Sequence, residues 1–282
     1  MEFKYFSQNG KILPIEAAVI PLSNIEYTYG FGVYESIRVS NGVVYFLEDH
    51  IERLLGSAEV ISIDHPFDEE FIKNSIFDLI KNHQKETFNL KILLIGSSTK
   101  EKALLNILCL NPLFPDRKLY RDGAEFVTYE YERAFPHAKT LNMLESYIAY
   151  SKAKKNKAYD ALLINQYGYI TEGTRTNFFC IKGKTIYTPF EKDVLLGVMR
   201  KAMLKVALNN DYKIVEVNIK LDDVKSYDGA FVTSTSSKIM PVKSINNISI
   251  GYPDSLKELM KLLNEFLDIC DGKMDFIKYR LT

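Results

Sequence analysis

Apolar positions in the first part of the chain switch between two periods. Ile37-Arg38-Val39-Ser40 and Val43-Val44-Tyr45-Phe46 flank Asn41-Gly42, and that pair suits the positive φ needed at both positions of a tight hairpin turn. Two strands are therefore predicted. Ile51, Leu54, Leu55 and Ala58 then recur at the spacing of one helix face. A second helix is predicted over 70–81, followed by strands over 91–96 and 103–110. Asn111-Pro112 and Pro115-Asp116 break the pattern, and the stretch to Gly123 is polar and rich in turn formers. The expected organisation is an N-terminal domain over 1–118, a linker region over 119–135 and a C-terminal domain over 136–282.

In the second part, Met143, Leu144, Tyr147, Ile148 and Ser151 outline a helix. Strands are predicted over 160–165, 169–171, 177–181 and 185–188, with turns at Gly168 and Gly183. A helix follows Gly197, and Val215, Val217 and Ile219 alternate as a strand does. Ala230–Thr233 forms another strand and runs into a Ser/Thr cluster. Leu256, Leu259, Met260, Leu263, Phe266 and Leu267 give the stripe of a C-terminal amphipathic helix. Strands and helices mix through both halves, so the fold class is α+β (mixed α/β) with two domains.

Composition narrows the function classes. The 36 basic and 36 acidic side chains cancel, which gives no electrostatic reason for a nucleic acid or an anionic membrane as partner. No apolar run approaches the ~20 residues that span a bilayer. Cys109, Cys180 and Cys270 are too few and too scattered for a disulfide framework. The opening Met1-Glu2-Phe3-Lys4 lacks the basic-then-apolar pattern of a signal peptide. A cytoplasmic protein is expected. His50, His65, His83 and His137 show no ligand spacing, and neither a phosphate loop nor a His-Glu-x-x-His motif is present, so no metal site is expected.

Candidate chemistry rests on smaller signals. Lys139, in Pro136-His137-Ala138-Lys139-Thr140, has apolar neighbours, and a desolvated amine forms Schiff bases. Thr171-Glu172-Gly173 follows a strand, where a buried carboxylate can keep a pyridine nitrogen protonated. Gly197-Val198-Met199-Arg200 opens a helix whose first amides suit a phosphate, and Thr233-Ser234-Thr235-Ser236-Ser237 offers hydroxyls beside amides. Arg53 lies off the apolar stripe of its helix. Each signal alone has an ordinary alternative: a solvated lysine or arginine, a loop glutamate, a helix-opening glycine, a surface turn.

Their order is more informative. Arginine on an early helix, lysine, Thr-Glu-Gly, Gly-Val-Met-Arg and Thr-Ser-Thr-Ser-Ser together resemble the class IV aminotransferases. That family includes branched-chain aminotransferases, D-amino acid transaminases and 4-amino-4-deoxychorismate lyases. The likeness runs from Tyr29-Gly30-Phe31-Gly32-Val33-Tyr34-Glu35 to Ser237. It includes Asp49-His50-Ile51-Glu52-Arg53-Leu54 and the stretch from Tyr169-Ile170-Thr171-Glu172-Gly173 to Asn177-Phe178-Phe179.

The resemblance implies a fold-type IV enzyme, a small α/β sandwich plus a larger pseudo-barrel domain with pyridoxal 5'-phosphate (PLP) between them, assembled as a homodimer. It makes Lys139 the covalent anchor and proton carrier, Glu172 the partner of the pyridine nitrogen and Arg53 the main cation for the phosphate. The amides of Val198 and Met199, with Ser234 and Thr235, would complete the phosphate cup. Tyr34 would line the substrate pocket. Arg175 would clamp a substrate carboxylate, as its counterpart does in a minority of D-amino acid transaminases. The arginine and histidine that other D-amino acid enzymes use are missing from Leu94-Ile95-Gly96-Ser97-Ser98. Met143 stands where some branched-chain enzymes carry tyrosine. The implied reaction moves the amino group of a small amino acid, branched-chain ahead of D-amino acids, to a 2-oxo acid. A 4-amino-4-deoxychorismate lyase and a PLP-binding protein without turnover are the other readings.

Overall fold

A computed structural model describes residues 3–270; the outermost ends of the two expected domains, 1–2 and 271–282, lie outside the described residues. The chain divides into two compact units.

The first unit takes residues up to Leu113 together with His137–Met143. Its elements are β1 (Tyr5–Gln8), β2 (Lys11–Pro14), a short α1 (Ile25–Thr28), β3 (Gly32–Ser40), β4 (Val43–Val44), α2 (Leu47–Val60), α3 (Glu69–Lys81), β5 (Phe88–Ile95) and β6 (Leu104–Leu110). The strands form one antiparallel sheet in the order β2-β1-β6-β5-β3-β4. The hairpin turn has Asn41 and Gly42 both at positive φ, as that dipeptide predicts. β4 is short because Phe46 adopts the left-handed conformation at the head of α2, so Tyr45-Phe46 turns into the helix instead of extending the strand. One face of the sheet is covered by α2 and α3. Ile37, Leu90, Ile92 and Ile107 pack there with Ile51, Leu54, Ile72 and Ile76 in a single core.

The second unit begins with α4 (Arg117–Asp122) and β7 (Ala124–Glu130). The region expected as linker, 119–135, thus contains a helix end and a strand whose Ala124 and Phe126 enter the core. Next come α5 (Leu144–Lys155), β8 (Asp160–Ile164), β9 (Tyr169–Gly173), β10 (Asn177–Lys182), β11 (Thr185–Thr188), α6 (Val198–Leu208) and β12 (Lys213–Glu216). The chain ends, as described, with β13 (Ile219–Lys220), β14 (Gly229–Ser234), β15 (Lys238–Ile245), β16 (Ile248–Ser249) and α7 (Asp254–Cys270). The alternation through Val215, Val217 and Ile219 is split, since β12 pairs with β11 whereas β13 pairs with β9. The sheet runs β12-β11-β10-β14-β15-β7-β8-β9-β13, and β9 also pairs with β10 through Glu172 and Asn177. That last pairing closes six strands into a ring, the barrel-like feature of this unit.

Two helices carry opposite lessons. α7 buries Leu256, Leu259, Leu263 and Leu267 as its stripe predicts. α5 forms where predicted, yet it buries the small residues Ser146, Ala149 and Ala153 and leaves Leu144, Tyr147 and Ile148 exposed. Its apolar spacing marks the outward face, because only small side chains fit beneath the helix.

Candidate active site

In the first unit, β3 alternates Val33, Glu35, Ile37 and Val39 toward the helices. A carboxylate on that apolar face needs partners, and α2 supplies them. Arg53 donates to Glu35 through Nε (2.6 Å to Oε1) and a terminal nitrogen (2.9 Å to Oε2). His50 Nδ1 lies 2.7 Å from Oε2. Burial opposes ionisation of Glu35, but the charges of Arg53 and His50 and their hydrogen bonds outweigh it and hold the carboxyl well below its ordinary range. Arg53 is therefore a fixed cation with its plane set by Glu35, and Glu35 and His50 are site residues that sequence reasoning passed over. The signal for Glu35 was available as the one acidic position on an apolar strand face.

Lys139 is held by its backbone to the same two elements. Its carbonyl accepts from the Tyr34 amide (2.9 Å), its own amide donates to Ser57 Oγ (3.1 Å), and the Leu141 amide donates to the Gly32 carbonyl (2.8 Å). Ser57 Oγ in turn donates to the Arg53 carbonyl (2.6 Å). Gly32 permits the close approach, since a Cβ there would meet Leu141 Cδ1 at 2.6 Å. The Lys139 amine lies 4.6 Å from the centroid of the Tyr34 ring, and the Tyr34 hydroxyl reaches Met143 Sδ at 3.8 Å. Lys139, Arg53 and Tyr34 are thus brought together, and Lys91 joins them with its amine 3.5 Å from the same ring centroid.

In the second unit, three of the predicted motifs converge on Asn177. It pairs across the barrel closure with Glu172 and across β14 with Thr233. Its side-chain amide donates to the Leu195 carbonyl (2.7 Å), in the loop that leads into α6. Glu172 is buried, with Oε1 2.8 Å from Arg133 Nε. Arg133 also donates to the Thr174 carbonyl (3.1 Å), so this arginine, not foreseen from its polar loop, fixes the Thr-Glu-Gly segment. Beside it Asp160 accepts from the Thr174 hydroxyl (2.5 Å) and the Ala161 amide (2.8 Å). Burial pushes the Asp160 carboxyl up, and those hydrogen bonds oppose the shift.

Val198 and Met199 are buried in the first turn of α6, where amide hydrogens have no preceding helical turn to bond. Ser234 Oγ is engaged within its own turn, 2.6 Å from Ser237 Oγ and accepting from the Ser237 amide at 3.1 Å, while Thr235 is half-buried at the turn's tip. The Arg175 side chain is exposed and its guanidinium stacks 4.2 Å from the Tyr150 ring centroid, apart from the Glu172–Arg133 pair.

These donors fit the cofactor expected from the sequence. The second unit offers helix-opening amides and, opposite Asn177, the buried Thr233 hydroxyl, which has no hydrogen-bond partner among the described residues. Those are the groups a phosphate ester requires. Among the described residues no group of three or more His, Cys, Asp or Glu is placed to hold a metal ion. No helix among them is long and apolar enough to cross a membrane.

Comparison with known proteins points to one family. The family model described as amino-transferase class IV matches residues 32–245. The chain is 30% identical to a D-alanine aminotransferase of Bacillus licheniformis, over 86% of this chain and 89% of that one. It is 28% identical to a putative branched-chain-amino-acid aminotransferase of Methanocaldococcus jannaschii, over 93% of this chain and 94% of that one. Among solved structures, the branched-chain amino acid aminotransferase of Thermobaculum terrenum in its PLP form superposes with a TM-score of 0.83 at 22% identity, covering 97% of this chain and 95% of that one. At that identity the likeness establishes the fold.

Proposed function

The chain belongs to the class IV aminotransferase family, and from that premise we propose that it is a PLP-dependent transaminase moving the amino group of a small amino acid to a 2-oxo acid. The observation that carries the reading is Lys139, an amine with no carboxylate partner among the described residues and a backbone locked onto β3 and α2. When bound, PLP supplies an electron sink for the carbon that loses its proton. Lys139 is assigned the covalent bond to the cofactor and the transfer of that proton. Glu172, 2.8 Å from Arg133 Nε, is assigned the pyridine nitrogen. Arg53, the amides of Val198 and Met199, and the hydroxyls of Ser234 and Thr235 are assigned the phosphate. Tyr34 is assigned the substrate side of Lys139.

Branched-chain amino acids are the favoured donors, in line with several similar proteins named for that activity. D-amino acids are the second reading, supported by the D-alanine aminotransferase likeness and by Arg175 as a carboxylate clamp. The clamp requires Arg175 to leave Tyr150. A homodimer in a reducing, cytoplasmic compartment completes the proposal, in line with the buried thiols of Cys109 and Cys180, which form no disulfide.

The test is direct. Purified protein is incubated with PLP, reduced with borohydride and weighed intact. The wild type is expected to gain one cofactor mass, and Lys139→Ala none. Retention of that adduct in the variant would remove Lys139 from its role. L-leucine or D-alanine with 2-oxoglutarate then identifies the donor, and turnover of neither would overturn the transaminase reading.

A further inference from the structure

Arg200 has no part in the roles assigned above. Its side chain is only 6% exposed, and it stands at the third position of α6. A helix start ordinarily favours acidic side chains, because the dipole and the unbonded amides present positive charge there. α6 has the opposite arrangement. Its first turn carries no acidic residue, Gly197 supplies no capping side chain, and Arg200 adds a cation. The amides of Val198 and Met199 therefore receive no carboxylate from their own helix start.

The guanidinium is turned toward two carboxylates from other segments. One terminal nitrogen donates to Glu191 Oε1 (2.8 Å), and the other lies 3.7 Å from Glu216 Oε1. Glu191 opens the short turn Glu191–Asp193 ahead of α6, and Glu216 ends β12. The Glu191 amide also donates to Glu216 Oε1 (3.0 Å), so the three residues form one closed set. Both carboxylates are more than a third exposed. Ion pairs with partners of that exposure stabilise a fold little, whereas burying a cation in the first turn of a helix is costly. Stability alone does not account for the set.

What the set fixes is geometry. The loop from Glu191 to Gly197 delivers the first turn of α6. Its far end is pinned by Asn177, which donates to the Leu195 carbonyl (2.7 Å) and whose Oδ1 occupies the space a Cβ on Gly197 would fill. Its near end is pinned by Arg200. We propose that Arg200 is a positioning residue for the cofactor phosphate: through Glu191 and Glu216 it holds this loop and the first turn of α6, so that the Val198 and Met199 amides converge on one anion. The inference rests on the PLP reading and adds to it the residue that orders the phosphate-binding turn. Arg200 acts through the backbone, its own charge being taken up by the two glutamates.

The experiment measures two dissociation constants for each protein by calorimetry, one for PLP and one for pyridoxal, which lacks the phosphate. Their ratio isolates the phosphate contacts, since whatever the ring touches cancels. Arg200→Met is expected to weaken PLP about tenfold or more, the value of a hydrogen bond to a charged group, and to leave pyridoxal unchanged. Arg200→Lys keeps the charge but has no fork to span two carboxylates, so it should recover part of the loss. Glu191→Gln combined with Glu216→Gln releases the guanidinium from the exposed side without altering the core, and the ratio should move in the same direction. That double variant decides the matter if circular dichroism shows Arg200→Met unfolded.

A wild-type ratio in Arg200→Met or in the double variant overturns the proposal. It does so whether both constants are unchanged or both rise together, because an equal rise marks a general loosening of the domain. Failure of Arg200→Lys to improve on Arg200→Met overturns it as well, since the ion pairs would then not be what holds the turn. Failure of the underlying reading looks different: the wild type itself would bind PLP no more tightly than pyridoxal.

Discussion

Glu35 presents the sharpest balance of forces in the molecule. It sits on the core face of β3 with no solvent exposure, and its stability depends on Arg53 and His50. Removing one member of a buried ion pair costs about 3–5 kcal/mol, since the other charge is left without a counterion. Glu35→Gln is therefore expected to destabilise the cofactor-free protein by about that amount in urea unfolding, a measurement independent of any catalytic role. The pH dependence has a definite sign. A depressed carboxyl contributes its full stability above its ordinary value of 4.5 and loses it as pH falls through the lower folded-state value. The gap between wild type and variant should stay constant down to pH 4.5 and close only in stronger acid. A gap that closes near neutrality would mean the cluster is not held as described. Lys139, Arg53 and Glu172 are singled out in the sequence by a family order of motifs. Lys91 is not. In sequence it reads as the solvent-facing lysine of an alternating strand, and only the β3–β5 register puts it on the Tyr34 ring.

Elements were read well where side-chain period and turn chemistry agree. The Asn41-Gly42 hairpin, α2, α3 and α7 each follow from residues whose pattern and burial coincide. The misread pieces are those whose position depends on distant partners. β7 follows a turn-rich stretch, so the region looked like linker, but β8 and β15 both pair with it in parallel and draw it into the barrel. Parallel pairing leaves no local hairpin signal to find. Gly123 carries the entry to this strand, with φ of +79°, and a Cβ there would lie 3.0 Å from the Lys243 amide nitrogen. A left-handed backbone and contact with a neighbouring strand's backbone add together. Gly123→Ala is expected to lower unfolding free energy by about 1–3 kcal/mol, read from the shift of the urea midpoint. An unchanged midpoint would show that the turn relaxes without strain.

At the scale of the whole molecule, α5 raises the question of what covers it. Leu144 is 66% exposed and Tyr147 69%, with Ile148 also exposed beside them, while the side turned inward carries only small residues. An amphipathic helix normally turns its large apolar residues toward the core. A reversed helix leaves a patch of the kind that marks an interface, and the homodimer proposed above gives it an occupant in a second copy of the chain. Each large apolar side chain removed from water contributes about 1.5–3 kcal/mol. Losing two of them at each of two symmetric patches should therefore weaken association by several orders of magnitude. Leu144→Glu combined with Tyr147→Asp is expected to convert a dimer to a monomer in light scattering. Because both side chains are exposed in the protomer, its circular dichroism should be unchanged. A wild type that scatters as a monomer at micromolar concentration, or a double variant that stays dimeric, would remove α5 from the interface.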